Sequence, residues 1–216
     1  MLKEDELDLS LLSQTRIMHF GSLSLTDEPS RSATFKAVHT AKESGAIISY
    51  DPNYRAPLWS SVEQAAEQMK NGLSLADMVK LSEEELTLLT GETDLRSGAH
   101  AIQQLGASLI LVTLGSKGAF YLCGKHSNLI PTYNVHTIDT NGAGDAFTGA
   151  IHYGLKGKTL SDVRNMPVEE LESIIDFANA VGSLATTKSG AIPAIPMMKE
   201  VQDCRANVPY LTDIKS

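Results

Sequence analysis

Residues 139–147 of the chain read DTNGAGDAF. Two glycines, Gly142 and Gly144, flank Ala143, and an amphipathic run over 146–155 follows directly. Glycine permits backbone angles that a side chain forbids, and the small alanine lets a ligand approach the main chain. The pattern therefore predicts a tight turn that enters a helix, where converging N–H groups and the helix dipole favour a phosphate.

An aspartate, Asp145, stands at the end of this turn, where its charge would repel such an anion. The conflict is resolved if Asp145 accepts a proton from a nucleophile while the backbone amides hold the developing negative charge. A plain turn with an acid near a helix N-terminus is the alternative interpretation, because the helix dipole also favours a carboxylate there. The first interpretation corresponds to phosphoryl transfer to a hydroxyl group.

The composition of the 216 residues limits the class of protein. A hydrophobic content of 42% suffices for one substantial core, so we expect a single domain over residues 1–216. The 18 basic and 26 acidic residues give a net charge of −8, which disfavours nucleic acid or an anionic membrane as a partner. Cys123 and Cys204 lie far apart and fit a reducing compartment. With no apolar run resembling a signal peptide or a membrane span, the chain is predicted to be soluble and cytoplasmic.

Short β-rich runs alternate with amphipathic helices, which predicts an α/β fold with a mainly parallel sheet. The predicted strands are 17–20, 46–51, 76–81 and 109–113. The predicted helices are 30–45, 61–75, 95–105, 168–187 and 197–205, with a further helix starting at Ser82. Glycines at 115, 118 and 124 separate two β-like runs, 119–123 and 126–135, which indicates antiparallel strands at the edge of the sheet.

Residues 50–55 read YDPNYR, at the carboxyl end of a predicted strand, where α/β sheets place their ligands. Asp51 and Asn53 offer polar groups for a sugar or a phosphate, and Arg55 offers a bidentate fork for an oxyanion. An Asp-Pro turn followed by a solvated arginine is the alternative that these residues leave open.

Together these segments resemble the ribokinase-like (PfkB) carbohydrate kinases. Residues 139–145 resemble the family's D-T-x-G-A-G-D signature, and residues 51–59 resemble the D-P-N-x-R segment of fructokinases and 2-keto-3-deoxygluconate kinases. The resemblance implies a three-layer α/β/α sandwich, with residues 1–216 as the C-terminal portion of the kinase domain. We expect the family's first strands, its Gly-Gly sugar motif and its small β lid to be absent from this chain.

The resemblance implies a set of nucleotide contacts. Residues 112–119 resemble the family's nucleotide loop, and a later helix carries an asparagine at a position that borders adenine in relatives. The implied contacts are Thr113, Gly115, Lys117, Gly118 and Asn179. From the residues alone, a glycine-rich hairpin without a ligand and a hydrogen-bonded helix asparagine remain open.

A magnesium site is also implied. Residues 80–86 resemble the family's N-x-x-E element, with Ser82 in the position of the asparagine and Glu85 in that of the glutamate. In the family this glutamate acts on hydrated Mg²⁺, and Mg²⁺ commonly keeps several of its waters. An acidic helix N-terminus without a metal is the alternative interpretation, which fits Glu83 and Glu84 better than Glu85.

A potassium site is implied by a further match. Asp139, the carbonyl of Asn141 and backbone carbonyls near 186–190 match the loops that hold a monovalent cation in ribokinases. Oxygen-rich loops suit a hard, weakly charged ion such as K⁺. The chain departs from the pattern at Ala194, where ribokinase itself has a hydroxyl side chain.

The resemblance thus implies an ATP-dependent sugar kinase with Asp145 as base and the amides of Gly142, Ala143 and Gly144 as anion hole. Fructose is the expected sugar, and 2-keto-3-deoxygluconate is the alternative. A truncated, non-catalytic nucleotide-binding module is an alternative of another class. Because missing strands would leave the sheet unpaired, we also expect self-association through exposed sheet edges.

Overall fold

The structure is a computed structural model that describes residues 1–211. Within that range six strands form one sheet in the order β1-β2-β3-β4-β5-β6. They are β1 (Ile17–Gly21), β2 (Ile47–Asp51), β3 (Met78–Ser82), β4 (Leu109–Thr113), β5 (Ala119–Cys123) and β6 (His126–Ile130). β1 and β2 pair in parallel, as do β2 and β3. Because only two residues join the neighbouring strands β5 and β6, these strands form the antiparallel edge hairpin that the sequence predicts.

Helices alternate with the first strands and dominate the second half of the chain. They are α1 (Leu9–Gln14), α2 (Ser30–Glu43), α3 (Val62–Leu73), α4 (Glu83–Thr90), α5 (Leu95–Gln104), α6 (Ala143–Gly154), α7 (Leu160–Arg164), α8 (Val168–Ala185) and α9 (Met198–Asn207). Among residues 1–211, no helix combines the length and the hydrophobicity that crossing a membrane requires.

Two short helices are absent from the sequence prediction. Both α1 and α7 are too short to display a hydrophobic period of their own. The start of each helix is nevertheless encoded, because Asp8 accepts hydrogen bonds from the first turn of α1 and Thr159 forms a capping box with Asp162 in α7. The available signals were therefore the capping aspartate before α1 and the threonine-to-acid spacing at the start of α7.

Several predicted elements end earlier than expected, and two of them lie near the site. The run predicted as a strand over 126–135 stops at Ile130, because the next residue is Pro131, which has no N–H to donate to a ladder. The helix predicted to reach residue 187 ends at Ala185, and its last carbonyls accept hydrogen bonds from Thr186 and Thr187.

The chain forms two compact units by its internal contacts. The first comprises Met1–Val112, Leu122–Ser127 and Gly157–Asn165. The second comprises Thr113–Tyr121, Asn128–Lys156 and the described residues from Met166 onward. The assignment of residues 1–216 to a single kinase domain stays a prediction.

A buried carboxylate ties together the core of the first unit. Asp77 accepts a hydrogen bond from the amide of Ile48 at 2.9 Å and pairs with the ammonium group of Lys42 at 3.4 Å. Ile47 and Ile48 are buried in β2, and α2 packs against β1 and β2. The charge is tolerated there because both of its oxygens have partners.

In the second unit the core lies between α6 and α8, which pack against each other along most of their length. Phe147, Ile151 and Ile175 are buried in this contact. The helices approach so closely that a Cβ on Gly154 would lie 2.5 Å from Cγ2 of Ile174. This packing fixes the direction of α6, whose N-terminus carries the DTNGAGD signature.

Candidate active site

The N-terminus of α6 is preceded by a glycine that no other residue could replace without strain. Gly142 adopts φ +76°, in the left-handed region, and a Cβ at this position would lie 2.7 Å from Cβ of Ala191. Both backbone conformation and space therefore require glycine here. The predicted turn into a helix is present at the predicted residues.

The first turn of α6 offers backbone amides to a ligand. Among the described residues no side chain caps this helix end. The amide of Ala146 donates to the carbonyl of Gly142 at 2.8 Å, and the amide of Ala143 donates to the carbonyl of Thr140 at 3.3 Å. The N–H groups at the start of a helix have no partner within the helix, and they attract anions. This end of α6 has the chemistry of a phosphate site.

The carboxylate of Asp139 fixes the loop before the turn. Its Oδ2 accepts from the amide of Gly190 and its Oδ1 from the amide of Asn141, each at 3.0 Å. These two backbone hydrogen bonds, with Gly190 the stronger cause, lower the pKa of Asp139. The carbonyl of Thr186 also accepts from Ile138 at 2.7 Å. The structure thus brings together the loops predicted to hold K⁺, but it uses these oxygens as acceptors for backbone amides.

A cavity of about 390 Å³ opens beside this helix end within the second unit. Ala143, Gly144 and Phe147 of α6 form one side of it. Hydroxyl groups dominate the rest of its polar lining, and these come from Thr113, Ser116, Thr132, Thr137, Thr140, Ser183 and Thr186. Among the described residues that line the cavity none carries a charged side chain. The cavity has the size of a small-molecule site.

Four of the five predicted nucleotide contacts line this cavity. They are Thr113, Gly115, Gly118 and Asn179. Lys117 is exposed and, among the described residues, does not belong to the lining, whereas its neighbour Ser116 does. The predicted loop is therefore placed at the cavity through its backbone, its hydroxyls and its glycines.

Asn179 has a structural role as well as a place in the cavity. Its amide nitrogen donates to the carbonyl of Ile130 at 2.9 Å and to that of Pro131 at 3.0 Å. Gly118 packs against the same two residues, since with φ +100° a side chain there would collide with the carbonyl of Ile130. Both interpretations offered by the sequence, a hydrogen-bonded helix asparagine and a residue at the ligand cavity, thus apply to Asn179.

Asp145 lies outside this cavity, on the other side of α6. It is exposed and lines a second cavity of about 370 Å³ together with Gly142 and Ala146. Apart from Asp145 the second cavity is mainly apolar, with Phe177 and Val181 of α8 in its wall. A carboxylate on this side does not repel an anion bound in the first cavity as strongly as one within it would.

In the first unit, Asp51 and Asn53 form a turn at the end of β2, which a hydrogen bond and an ion pair stabilise. Asp51 Oδ2 pairs with the ammonium group of Lys80 at 2.9 Å, and Oδ1 accepts from the amide of Asn53 at 3.0 Å. Asn53 has φ +47°, a left-handed conformation that asparagine tolerates better than most residues. Arg55, by contrast, is exposed, and its Nη1 donates to the carbonyl of Tyr54 at 3.3 Å.

Glu85 is a buried acid that holds two segments of backbone. It accepts from the amide of Ser82 at 2.8 Å, which completes the capping box of α4, and from the amide of Tyr54 at 2.7 Å. Only 8% of its surface is exposed. Each oxygen of a carboxylate has two lone pairs, so Glu85 retains acceptor capacity for a water bound to a metal. Direct coordination would compete with both backbone hydrogen bonds.

Some residues of these sites were not foreseen from the sequence. Lys80 was visible as a charge in an otherwise apolar strand, and the structure pairs it with Asp51. Ser183 and Thr186 line the first cavity with Asn179. Asn179 and Ser183, four residues apart, lie on one face of α8, and Thr186 is the C-cap residue of that helix. Within residues 1–211, no group of three or more His, Cys, Asp or Glu side chains could hold a metal ion.

The chain is similar to fructokinases both in sequence and in structure. The chain is 42% identical over 208 residues to probable fructokinase-2 of Arabidopsis thaliana, covering 95% of this chain and 60% of the relative. A crystal structure of fructokinase with bound ATP from Xylella fastidiosa matches with a TM-score of 0.89 and 33% identity, covering 95% of this chain and 66% of that one. A double mutant of Vibrio cholerae fructokinase in a fructose-, ADP- and potassium-bound form gives a TM-score of 0.80 and 35% identity. This match covers 88% of the present chain and 60% of the Vibrio cholerae chain.

The fold and the glycine turn define a ribokinase-like α/β protein, as the sequence predicts. The family of pfkB carbohydrate kinases matches residues 1–198, and the chain belongs to that family. The chain spans about 60% of the length of the curated relative named above.

We expect Glu85→Gln to lower the free energy of unfolding by about 1–3 kcal/mol, because an amide group would face one of the two backbone N–H groups that the carboxylate now satisfies. Urea unfolding followed by circular dichroism measures the change. Glu84→Gln is the matched control, since Glu84 is exposed in the same helical turn and its replacement should change stability by less than about 0.5 kcal/mol. Equal stabilities for the two variants would contradict the clamping role of Glu85.

Proposed function

We propose that the chain carries the nucleotide-binding and phosphoryl-transfer part of an ATP-dependent sugar kinase, with fructose as the sugar. One observation carries this proposal: the uncapped N-terminus of α6 faces a hydroxyl-lined cavity, with Asp145 in the same helical turn on the other side. Amides for an anion and a carboxylate for a proton are thereby held on one rigid element.

The first cavity is proposed to hold ATP. Its volume of about 390 Å³ lies within the range of small-molecule sites. Thr113, Gly115, Gly118 and Asn179 would contact the nucleotide, and the exposed Lys117 would reach its phosphates from the rim. The relative from Xylella fastidiosa, which shares this fold, was solved with bound ATP. That relative supports ATP as the nucleotide.

In the proposed reaction the amides of Gly142, Ala143 and Gly144 hold the charge that develops on the transferred phosphoryl group. Asp145 accepts the proton of the attacking sugar hydroxyl, and the oxygen of that hydroxyl then bonds to the γ-phosphorus of ATP while the bond to the β-phosphate oxygen breaks. The products are a sugar phosphate and ADP. Gly142 lines the second cavity together with Asp145, whereas Ala143 and Gly144 line the first, so the acceptor hydroxyl would lie at the helix end between the carboxylate and the amides.

Two cations are part of the proposal. When bound, Mg²⁺ supplies positive charge to the phosphates of ATP. Glu85 would act on it through water, which suits a carboxylate whose two oxygens already accept backbone hydrogen bonds. K⁺ would be held by carbonyls of the loops that contain Asp139, Asn141 and Gly190, a choice supported by the potassium-bound Vibrio cholerae relative.

Fructose is proposed as the sugar because the relatives described above are fructokinases. Asp51, Asn53 and Arg55 would contribute to its binding. Asp51, however, is already neutralised by Lys80, and the second cavity offers little polar surface besides Asp145. These two observations favour a second candidate function, a non-catalytic nucleotide-binding module. ADP release that depends on fructose distinguishes the kinase from the module.

We expect ADP or Mg-ATP to raise the melting temperature of the chain. A ligand at about 100 times its dissociation constant stabilises the folded state by about 2.7 kcal/mol, which a thermal melt resolves. Gly144→Val should remove the effect because its side chain obstructs the amides of α6. Gly149→Val is the control within the same helix, since a Cβ there meets no atom within 4 Å. Melting that millimolar nucleotide leaves unchanged would refute the nucleotide site.

We expect Asp145→Asn to lower the rate of fructose-dependent ADP release by about 10²- to 10⁴-fold, as loss of a general base does. Nucleotide affinity should change by no more than a few-fold, since Asp145 lies outside the first cavity. A coupled ADP assay and calorimetric titration measure the two quantities. Asp203→Asn, at an exposed position of α9, is the control. Near-normal turnover in Asp145→Asn would exclude its role as base.

Self-association through an exposed sheet edge is also proposed. β1 is the first strand of the sheet, and apart from the buried Phe20 its residues are partly buried or, at His19, exposed. An edge strand of this kind offers unpaired backbone groups to another chain. We expect concentration-dependent light scattering that Ile17→Lys reduces, because a lysine on an edge discourages pairing. Gln104→Lys, which adds the same charge at an exposed position of α5 outside the sheet, should leave the scattering unchanged. A monodisperse monomer at all concentrations would contradict the proposal.

A further inference from the structure

A cluster around Asp176 of α8 has no role in the proposed reaction. Its Oδ1 accepts from the hydroxyls of Tyr133 at 2.8 Å and Tyr210 at 3.0 Å, and its Oδ2 pairs with Nε of Arg205 at 2.8 Å. The side chain of Asp176 is only 14% exposed. Three donors from three separate segments therefore converge on one nearly buried carboxylate.

The cluster joins the segment at residues 208–211 to the loop at 132–134. Tyr133 and Tyr210 form an isolated antiparallel bridge, and their rings pack with centroids 5.0 Å apart. The amide of Asn134 donates to the carbonyl of Pro209 at 2.9 Å, and that of Leu211 donates to the carbonyl of Thr132 at 2.8 Å. We call residues 208–211 the strap.

The strap is part of the wall of the first cavity. Leu211 lines that cavity together with Thr132 and Tyr133. Leu211 and the ring of Tyr133 present aliphatic and aromatic surface, whereas the hydroxyl of Thr132 is hydrogen-bonded to that of Ser183. The hydroxyl of Tyr133 donates to Asp176. Phosphate groups are attracted instead to the amides of α6, while the carboxylate of Asp176 is paired with Arg205 and adds no net charge to this wall. A nucleoside base, by contrast, gains from an aromatic and aliphatic wall.

We propose that the strap is the wall of the nucleoside end of the nucleotide site, and that Asp176 is the positioning residue that holds it there. The proposal rests on the assignment of the first cavity to a nucleotide. Asp176 acts through Tyr133 and Tyr210, and it touches neither the base nor the phosphates. The strap is thereby set before the nucleotide arrives, so that binding does not have to order it.

The test compares the binding of ADP with that of inorganic pyrophosphate by calorimetry on the whole chain. Asp176→Asn and Tyr210→Phe should each weaken ADP binding by about tenfold, the effect of about one lost hydrogen bond to a charged group. Pyrophosphate, which has no nucleoside, should bind within about twofold of its original affinity. Glu172→Gln is the matched control, because Glu172 lies one turn earlier on α8 and likewise accepts from a tyrosine hydroxyl, that of Tyr121.

A second measurement follows the strap itself. Hydrogen exchange at the amides of Asn134 and Leu211 should slow when ADP binds to the unmodified chain and should be faster in Tyr210→Phe than in Glu172→Gln. If Asp176→Asn does not fold, Tyr210→Phe decides the question because it keeps the ring and loses only the hydroxyl.

The outcomes are distinct. The positioning role is wrong, while the nucleotide site stands, if Asp176→Asn and Tyr210→Phe bind ADP as tightly as Glu172→Gln does. The same conclusion follows if the two variants lose affinity for ADP and for pyrophosphate equally. If the unmodified chain binds no ADP, the proposed nucleotide site fails and the role of the strap fails with it.

Discussion

The second unit depends on one interaction: the carboxylate of Asp139 holds the amides of Asn141 and Gly190. Together with the carbonyl of Thr186, which accepts from the amide of Ile138, it ties the loop after α8 to the turn before α6. That tie sets Ala191 against Gly142, which leaves no room for a side chain and fixes the left-handed turn. The start of α6 is therefore defined by contacts from both sides. An anion site made of backbone amides requires this rigidity, because the amides must already point toward the anion when it binds.

Acidic side chains in the first unit likewise accept hydrogen bonds from backbone amides. Asp77 holds the amide of Ile48, Asp51 that of Asn53, and Glu85 those of Ser82 and Tyr54. Each of these carboxylates replaces water with fixed backbone donors, so its charge is tolerated in a buried position. Among residues 1–211 the other acidic side chains are at least partly exposed, so most of the 26 acidic residues contribute to the surface.

Much of the fold and part of the site could be predicted from the sequence. Alternating hydrophobic runs located the strands, and the glycines of the DTNGAGD stretch located the N-terminus of α6 because their requirements are local. Local sequence could not predict that Lys80 pairs with Asp51, or that the hydroxyls of Tyr133 and Tyr210 both donate to Asp176. These contacts join residues far apart in sequence, and no local preference specifies them. The shortening of β6 was foreseeable from Pro131, whose missing N–H is a local property.

The hydroxyl lining of the first cavity has one more consequence. Serine, threonine and asparagine side chains do not titrate between about pH 5 and pH 9. Burial, together with hydrogen bonding to Asp176, raises the pKa of Tyr133, the one tyrosine in the described lining, and moves its titration further from that range. The cavity therefore keeps one pattern of donors and acceptors as acidity changes. Any sensitivity of ligand binding to pH must arise from the ligand or from charged groups outside this wall.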